Sequence, residues 1–365
     1  MIGVAGCVAQ HSGTRILDRV PYVDFVVGTG NVERIPDAVE KALSGARPAW
    51  LELDRDSPVY QFRSIARDST FQAYVTVIEG CDQFCTFCVV PFTRGRERSR
   101  RASEVEAECR DLAARGFSEV TLLGQTVNAY RCPEEGISLA GLLDRLCAIE
   151  DLRRIRYLTS HPSFVTPEFV EVLARQPRIG RFFHLPAQSG SNRVLSRMKR
   201  RYTRERYLQI ADDVRGRAPD VVLSSDFIVG FPGETDADFE DTLRFVEEVR
   251  FGTLFAFVYS PRPGTAAARW GRDGEVPRDV ASERLAVLLD TQRRIQASGN
   301  RAMEGDVVDV LVEGESKFGH TLSGRTSCNR IVHFQPGSGR PVRPGEYVAV
   351  RIERGLENSL AGSPA

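Results

Sequence analysis

Lysine is nearly missing from this chain of 365 residues: Lys41, Lys199 and Lys317 are the only three, although Lys and Arg together number 49. That bias toward Arg is the mark of a GC-rich coding sequence and carries no functional inference. Neither sign of charge is in excess, since Asp and Glu also number 49. This excludes an overall polycationic nucleic-acid binder and leaves room for local basic patches. No apolar run approaches the roughly 20 residues needed to span a bilayer, so no transmembrane helix is predicted. The opening Met1-Ile2-Gly3-Val4-Ala5-Gly6-Cys7 is apolar but short and lacks a basic leader. It does not read as a secretory signal, and a cytoplasmic protein without membrane contact is expected. No internal repeat or low-complexity tract stands out, and the tail Gly362-Ser363-Pro364-Ala365 reads as disordered.

The chain has 42% apolar and 27% charged residues, ordinary for a globular protein, and its length suits two or three domains. Residues 1–60 read as the end of an α/β unit, closing on a loop rich in Asp and Pro from Leu53 to Pro58. From Ala73 the pattern is regular. Strand-like runs at 73–79, 119–123, 154–158, 181–185, 221–229 and 253–259 alternate with amphipathic segments. Ser103 with Glu106 and Thr235 with Asp238 fit capping boxes, and Thr166-Pro167 fits an N-cap followed by Pro at the first helical position. Such alternation implies parallel strands with right-handed crossovers, in a (β/α)6 barrel or part of one, with an open doubly wound sheet as the competitor. Gly and polar residues gather just after the strands, where one face of a barrel carries its active site. A helical stretch from Pro277 to about Ser298 follows. Short β runs at 307–313, 320–325, 330–334 and 347–353 then predict a small all-β barrel. The expected divisions are 1–60, 67–300 and 301–365.

Of the eight Cys, five are scattered singly (Cys7, Cys109, Cys132, Cys147, Cys328). The other three crowd into Cys81-Asp82-Gln83-Phe84-Cys85-Thr86-Phe87-Cys88, directly after the first barrel strand. Without a secretory signal, that crowding favours metal ligation over disulfides. Three thiolates on one tight loop can hold three corners of a cubane. Electron-transfer cubanes usually take four Cys. With no fourth nearby in sequence one iron stays open, and an open coordination site is what chemistry needs. A structural zinc site completed by a distant His or Cys is the alternative.

The C-x3-C-x2-C spacing resembles the radical S-adenosylmethionine (SAM) superfamily. The stretch Glu79-Gly80-Cys81 through Val89-Val90-Pro91-Phe92-Thr93-Arg94-Gly95-Arg96-Glu97-Arg98-Ser99-Arg100 is similar to the methylthiotransferases, and specifically to their tRNA branch. Leu122–Tyr130, Thr159-Ser160-His161-Pro162, His184–Ser191, Ser225–Thr235 and Tyr259–Thr265 match as well, so the resemblance runs over essentially the whole chain. It implies a partial (β/α)6 TIM-like barrel, preceded by the remnant of an α/β methylthiotransferase domain and followed by a small all-β TRAM barrel. A [4Fe-4S] cluster on Cys81, Cys85 and Cys88 would chelate SAM, and one electron would cleave SAM to methionine and a 5′-deoxyadenosyl radical. Gly124 and Gln125 stand where the superfamily binds the SAM amino group. Gln188, Ser189, Asp226, Gly230 and Glu234 would line the SAM and substrate pocket. Arg262 is a candidate for pairing with a carboxylate or phosphate. His161 and His184 read equally well as hydrogen-bonded strand-end residues and as pocket residues.

The family also carries a second [4Fe-4S] cluster on three N-terminal Cys. Cys7 resembles the third of these and the other two have no counterpart, so either the true start lies upstream of Met1, the reading expected here, or the second site has been lost. Leu311–Gly314, Gly324-Arg325-Thr326 and Asn329-Arg330 resemble the TRAM domain. Lys317, Arg325, Arg330, Arg340, Arg343, Arg351 and Arg354, with Phe318, Phe334 and Tyr347, are its candidate RNA surface. Arg193, Arg197, Lys199, Arg200 and Arg201 form a second basic cluster, which reads as an anticodon-stem contact or as a charged face. The implied activity is methylthiolation of N6-isopentenyladenosine (adenosine 37) in tRNA by a monomer supplied with SAM, an electron donor and a sulfur source. The rivals are a sister enzyme acting on threonylcarbamoyl-adenosine or a ribosomal-protein aspartate, a form limited to SAM cleavage, and a non-catalytic RNA-binding protein with a structural metal.

Overall fold

The computed structural model describes residues 1–53, 67–271, 274–316, 319, 321–336 and 341–365. Lys317, Phe318, His320, Gly337, Arg340 and residues 54–58 of the Asp- and Pro-rich loop lie outside them. The chain opens with three short parallel strands in the order β1 (Gly3–Ala5), β2 (Phe25–Val27), β3 (Ala49–Trp50). Helices α1 (Cys7–Ser12), α2 (Arg15–Arg19) and α3 (Ile35–Leu43) connect them, and Val26 and Val27 are fully buried at the centre.

The barrel follows. Its strands are β4 (Gln72–Thr76), β7 (Glu119–Leu123), β8 (Arg154–Tyr157), β9 (Phe182–His184), β10 (Val222–Val229) and β11 (Thr253–Val258). The first three form one parallel sheet and the last three another, joined by a bridge between Ile155 and Ile179. The strands lie in chain order without the reversal that a doubly wound sheet needs, and among the described residues no pairing joins β11 back to β4, so the barrel is open-sided. The run expected over 73–79 is broken. Ile78-Glu79 (β5) leaves the barrel to pair with Arg98-Ser99 (β6), carrying the chain across the mouth.

The helices α4 (Val90–Thr93), α5 (Ala102–Ala114), α6 (Leu139–Cys147), α7 (Pro167–Arg175), α8 (Asn192–Arg197), α9 (Arg204–Arg217), α10 (Asp236–Val249) and α11 (Arg278–Arg301) occupy the mouth and the outside. Thr235 and Asp238 form a reciprocal capping box, and the Thr166 hydroxyl caps α7 before Pro167. The box expected at Ser103 is absent: the cap falls two residues earlier, on Arg101, which makes no side-chain capping bond, and Arg100 and Arg101 form ion pairs with Glu108 and Glu134. Cys109 and Cys147 lie buried on α5 and α6.

The period of two along each strand divides the barrel. Val120, Leu122, Ile155, Tyr157, Phe183, Leu223, Phe227 and Leu254 pack outward into the helical core. The alternate residues face the lumen, whose floor is ionic. Glu119 receives Arg156 Nε at 3.0 Å and Arg154 Nη1 at 3.4 Å, all three side chains being buried.

Below the floor sits the closed C-terminal barrel, in strand order β12 (Val307–Glu315), β13 (Leu322–Arg325), β14 (Ile331–Phe334), β16 (Leu360–Pro364), β15 (Tyr347–Gly355). Arg154 donates to the Arg325 carbonyl at 3.1 Å, and Arg156 donates to those of Thr326 at 2.8 Å and Ser327 at 3.2 Å. The tail expected to be disordered is instead the strand that closes this barrel. Residues 360–364 pair with both β14 and β15, and a Cβ on Gly362 would lie 2.1 Å from the Arg351 carbonyl oxygen, so its small residues serve close strand approach.

Removing Glu119 leaves the buried Arg156 guanidinium without a carboxylate and Arg154 with only the exposed Asp309 at 3.7 Å. Glu119→Ala is expected to lower stability by about 3–5 kcal/mol, read as a shift in the denaturant midpoint. Arg153→Ala, on the exposed side of the same strand start, is expected to change it by less than about 1 kcal/mol.

Candidate active site

The cysteine loop is fixed from three sides. At its entry Gly80 has φ 78°, and its N–H donates to Gln125 Oε1 at 2.7 Å. A Cβ at this position would lie 2.1 Å from the Arg96 carbonyl oxygen, so only glycine fits. Gln125 reaches Gly80 because Gly124, at the end of β7, lets Ile78 pack where a Cβ would stand. Asp82 and Glu97 exchange backbone-to-carboxylate hydrogen bonds of 3.0 and 3.3 Å. In the centre, Thr86 N–H donates to the Met198 carbonyl at 3.0 Å and its hydroxyl to that of Arg197 at 2.9 Å. The Thr86 carbonyl in turn accepts from Ala267 N–H at 2.8 Å. Cavities of about 460 and 610 Å³ flank the loop, one lined by Thr29, Glu79 and Arg94, the other by Gln83, Lys199 and Arg200.

Cys81 and Cys85 are buried and Cys88 half-buried. Burial pushes the Cys81 thiol up, and pushes Cys88 up to about 11, with the neighbouring Cys sulfurs adding to both. Thiols so placed stay protonated until a metal displaces the protons. Arg200 fits that outcome. It is buried and spends Nη2 on the Pro186 carbonyl (2.7 Å), Nε on Tyr202 Oη (3.3 Å) and Nη1 on Cys85 Sγ (3.6 Å). None of these partners is a carboxylate, so an anionic thiolate-bound cluster supplies the missing counter-charge. Thr126 Oγ1 lies 3.5 Å from Cys81 Sγ. Among the described residues no three His, Cys, Asp or Glu side chains converge on a single ion. A cubane does not require that, since each sulfur takes its own iron. The three cysteines therefore suit a cluster with one open iron.

The other expected site residues divide. Gln188 (φ 74°) is bound through its backbone to Asp226 and Ile228 at 2.8 and 3.0 Å, and Asp226 faces the lumen 3.4 Å from His184 Nε2. These stand together below the cysteine loop. Ser189 is committed inward, its hydroxyl 3.4 Å from that of Thr242. Glu234 is likewise engaged, accepting from Gly230 N–H at 2.9 Å and from Arg284 at 2.8 Å. It shapes the turn after β10, and burial pushes its carboxyl up despite Arg284. Arg262 is exposed on the loop after β11. Cys7 is exposed, with Arg94 Nε donating to its sulfur at 3.2 Å. One thiol cannot hold a cubane.

His184 is a lumen residue, whereas His161 belongs to the scaffold. The latter is buried against Phe164 and Tyr202, its Nδ1 accepting from Ser163 N–H at 3.2 Å. The basic cluster also divides. Arg193 pairs with Asp238, Arg197 donates to the Pro232 carbonyl at 3.0 Å, and Arg200 serves the cysteine loop. Lys199 and Arg201 are the exposed pair. On the C-terminal barrel Phe334 is core, and Tyr347 lies under Arg153 and Arg154 at 3.9 and 5.0 Å. Arg325 pairs with Glu313 and Arg330 with Asn300, leaving Arg343, Arg351 and Arg354 exposed among the described candidates. Thr126 and the inward role of Arg200 were not foreseen. In the sequence nothing separates Arg200 from Lys199 and Arg201 beside it.

Gly80→Ala is expected to abolish iron loading on anaerobic reconstitution, measured as iron per chain, while leaving barrel helicity by circular dichroism intact. His161, held down to about 2 by burial and by the charges of Arg200 and Arg201, stays neutral in the fold but binds a proton below about 6.5 when unfolded. Stability is therefore expected to fall with acidification below pH ~6.5 by up to about 1.4 kcal/mol per unit. His161→Gln is expected to flatten that slope in urea titrations at stepped pH.

The description "Radical SAM superfamily" matches residues 75–246 and "TRAM domain" matches 301–365. Among solved structures, the radical S-adenosylmethionine methyltransferase TsrM from Kitasatospora setae, with tryptophan and a SAM analogue bound, superposes with a TM-score of 0.56 at 15% identity. The match covers 73% of this chain and 57% of that one, and speaks to the barrel fold alone. A tRNA-2-methylthio-N(6)-dimethylallyladenosine synthase from Moorella thermoacetica is 45% identical over 99% of this chain and 81% of its own length. The enzyme of that name from Anaeromyxobacter dehalogenans is 46% identical, over 100% and 79%. At this identity over nearly the whole chain and about four-fifths of each relative, the chain belongs to the family of tRNA-2-methylthio-N(6)-dimethylallyladenosine synthases.

Proposed function

We propose that this chain converts N6-isopentenyl-adenosine beside the anticodon of tRNA, at adenosine 37, to its 2-methylthio derivative. The observation that carries the reading is the loop of Cys81, Cys85 and Cys88 at the mouth of a barrel whose sequence is similar to such synthases throughout. When bound, a [4Fe-4S] cluster and SAM supply the one-electron chemistry that removes hydrogen from adenine C2 and opens that carbon to sulfur.

The chain's own residues prepare for this. Gln125 and Gly80 set the loop, and Arg200 and Thr126 touch its sulfurs from inside the protein. Asp226 and His184 offer polar groups below the loop, and Phe87 of the loop and Ile228 of β10 each pack against the apolar cluster of Val194, Met198, Phe231 and Ala267 beside it. Residues 67–300 serve as the catalytic unit. The 301–365 barrel adds RNA contact through exposed Arg343, Arg351 and Arg354, aided by Lys199 and Arg201 near the mouth. Drawing adenine out of its stack costs a few kcal/mol, a cost that an anticodon loop already lowers. A reductant and a sulfur donor come from outside the chain.

Mass spectrometry of tRNA nucleosides tests the reading. A strain deleted for this gene is expected to lose 2-methylthio-isopentenyl-adenosine and accumulate the isopentenyl precursor. Re-expression of the natural gene restores the product, and Cys85→Ala does not. An unchanged product level in the deletion strain sinks the proposal.

A further inference from the structure

The lumen carries an aromatic edge that nothing above uses. On β11, Leu254 belongs to the helical core, with Ala256 and Val258 packed against it. The alternate residues Phe255 and Phe257 therefore point into the barrel, where they are 49% and 57% exposed. Their register is informative: Phe255 stands beside Asp226 and Phe257 beside Ile228. Ile228 packs in one cluster with Phe87, which lies between Cys85 and Cys88. Phe257 is thus one strand away from a residue that shares its apolar neighbours with Phe87 of the cysteine loop. Phe255 is one layer deeper, its ring centroid 6.4 Å from that of His184, which in turn reaches Asp226 at 3.4 Å. Beyond β11 the barrel is open, and on β4 Tyr74 alternates with the core residues Ala73 and Val75, 65% exposed on the other lip.

Two Phe rings about half exposed leave apolar surface in water that a ligand could cover. Inside a mouth beside convergent polar groups, such a surface marks a ligand site. Its chemistry is selective. The apolar rings suit a flat base bearing a branched hydrocarbon, and the polar pair His184–Asp226 suits the nitrogens of that base. The substrates of the sister enzymes, threonylcarbamoyl-adenosine and aspartate, both carry a carboxylate. That group would be brought to an apolar wall next to the Asp226 carboxylate, unpaired and repelled.

We infer that Phe255 and Phe257 bind the dimethylallyl chain on N6 of the substrate adenine and so determine which modified nucleoside the enzyme accepts. The inference rests on the substrate proposed above. The test uses the full reconstituted chain and two synthetic anticodon stem-loop RNAs, one with N6-isopentenyl-adenosine and one with adenosine at the same position. The ratio of their Kd values is measured by fluorescence anisotropy. The natural protein is expected to prefer the isopentenylated RNA. Phe257→Ala and Phe255→Ala are expected to cut that preference about tenfold or more, and Phe257→Leu, which keeps an apolar side chain, to retain most of it. No preference in the natural protein overturns the substrate reading itself. A natural preference that survives in both alanine variants overturns the assignment of the rings alone. So does an alanine variant whose loss is in SAM affinity and not in the RNA ratio, because the rings would then belong to SAM.

Discussion

A buried cation facing a sulfur organises the mouth of this barrel. Arg200 cannot leave, since Pro186 and Tyr202 hold it from the protein side, and its remaining nitrogen is directed at Cys85. In a low-dielectric surrounding a guanidinium without an anion is costly. Thiolates and a cluster would supply that anion where Arg200 meets Cys85. The constraints on the loop backbone make sense in that light. Gly80 sits against the Arg96 carbonyl, Gln125 clamps its N–H, and Thr86 is bonded on both sides. All hold three sulfurs still while one face stays open.

The lumen beneath is graded. Near the mouth it is apolar, with Ile228 and Phe257. Midway it is polar, with His184 and Asp226. At the base it is ionic, with Glu119, Arg154 and Arg156 sealed by carbonyls of the C-terminal barrel. A ligand entering from the open end meets hydrocarbon first and hydrogen-bonding groups second, and can go no deeper. The C-terminal barrel therefore has a structural duty besides any contact with RNA, because it satisfies two buried guanidinium groups that the six strands alone would leave open.

Much of this was legible from the residues. Strand 119–123 and the Thr235–Asp238 cap fall where period and side-chain chemistry place them, because local signals decide both. The C-x3-C-x2-C loop is a local signal of the same kind. What escaped was settled by distant partners. Ile78-Glu79 looks like the end of a barrel strand until Arg98-Ser99 competes for it. The Gly-Ser-Pro tail looks loose until two strands need an edge filled. Glu234 and Ser189 carry chemistry-bearing groups that Arg284 and Thr242 absorb. Arg200 could not be told from its exposed neighbours Lys199 and Arg201, since burial of one residue in a basic run follows from packing and not from composition.

The sealed base also has a consequence for biosynthesis. Arg154 and Arg156 emerge from the ribosome about 170 residues ahead of the carbonyls that cap them. At ~5–20 residues per second that is on the order of ten seconds or more. Until those carbonyls arrive, the nascent barrel keeps a wet, charged floor. The last segment to be made thus governs when the first catalytic strands become dry, and a translational pause after residue 300 would lengthen the exposure to chaperones.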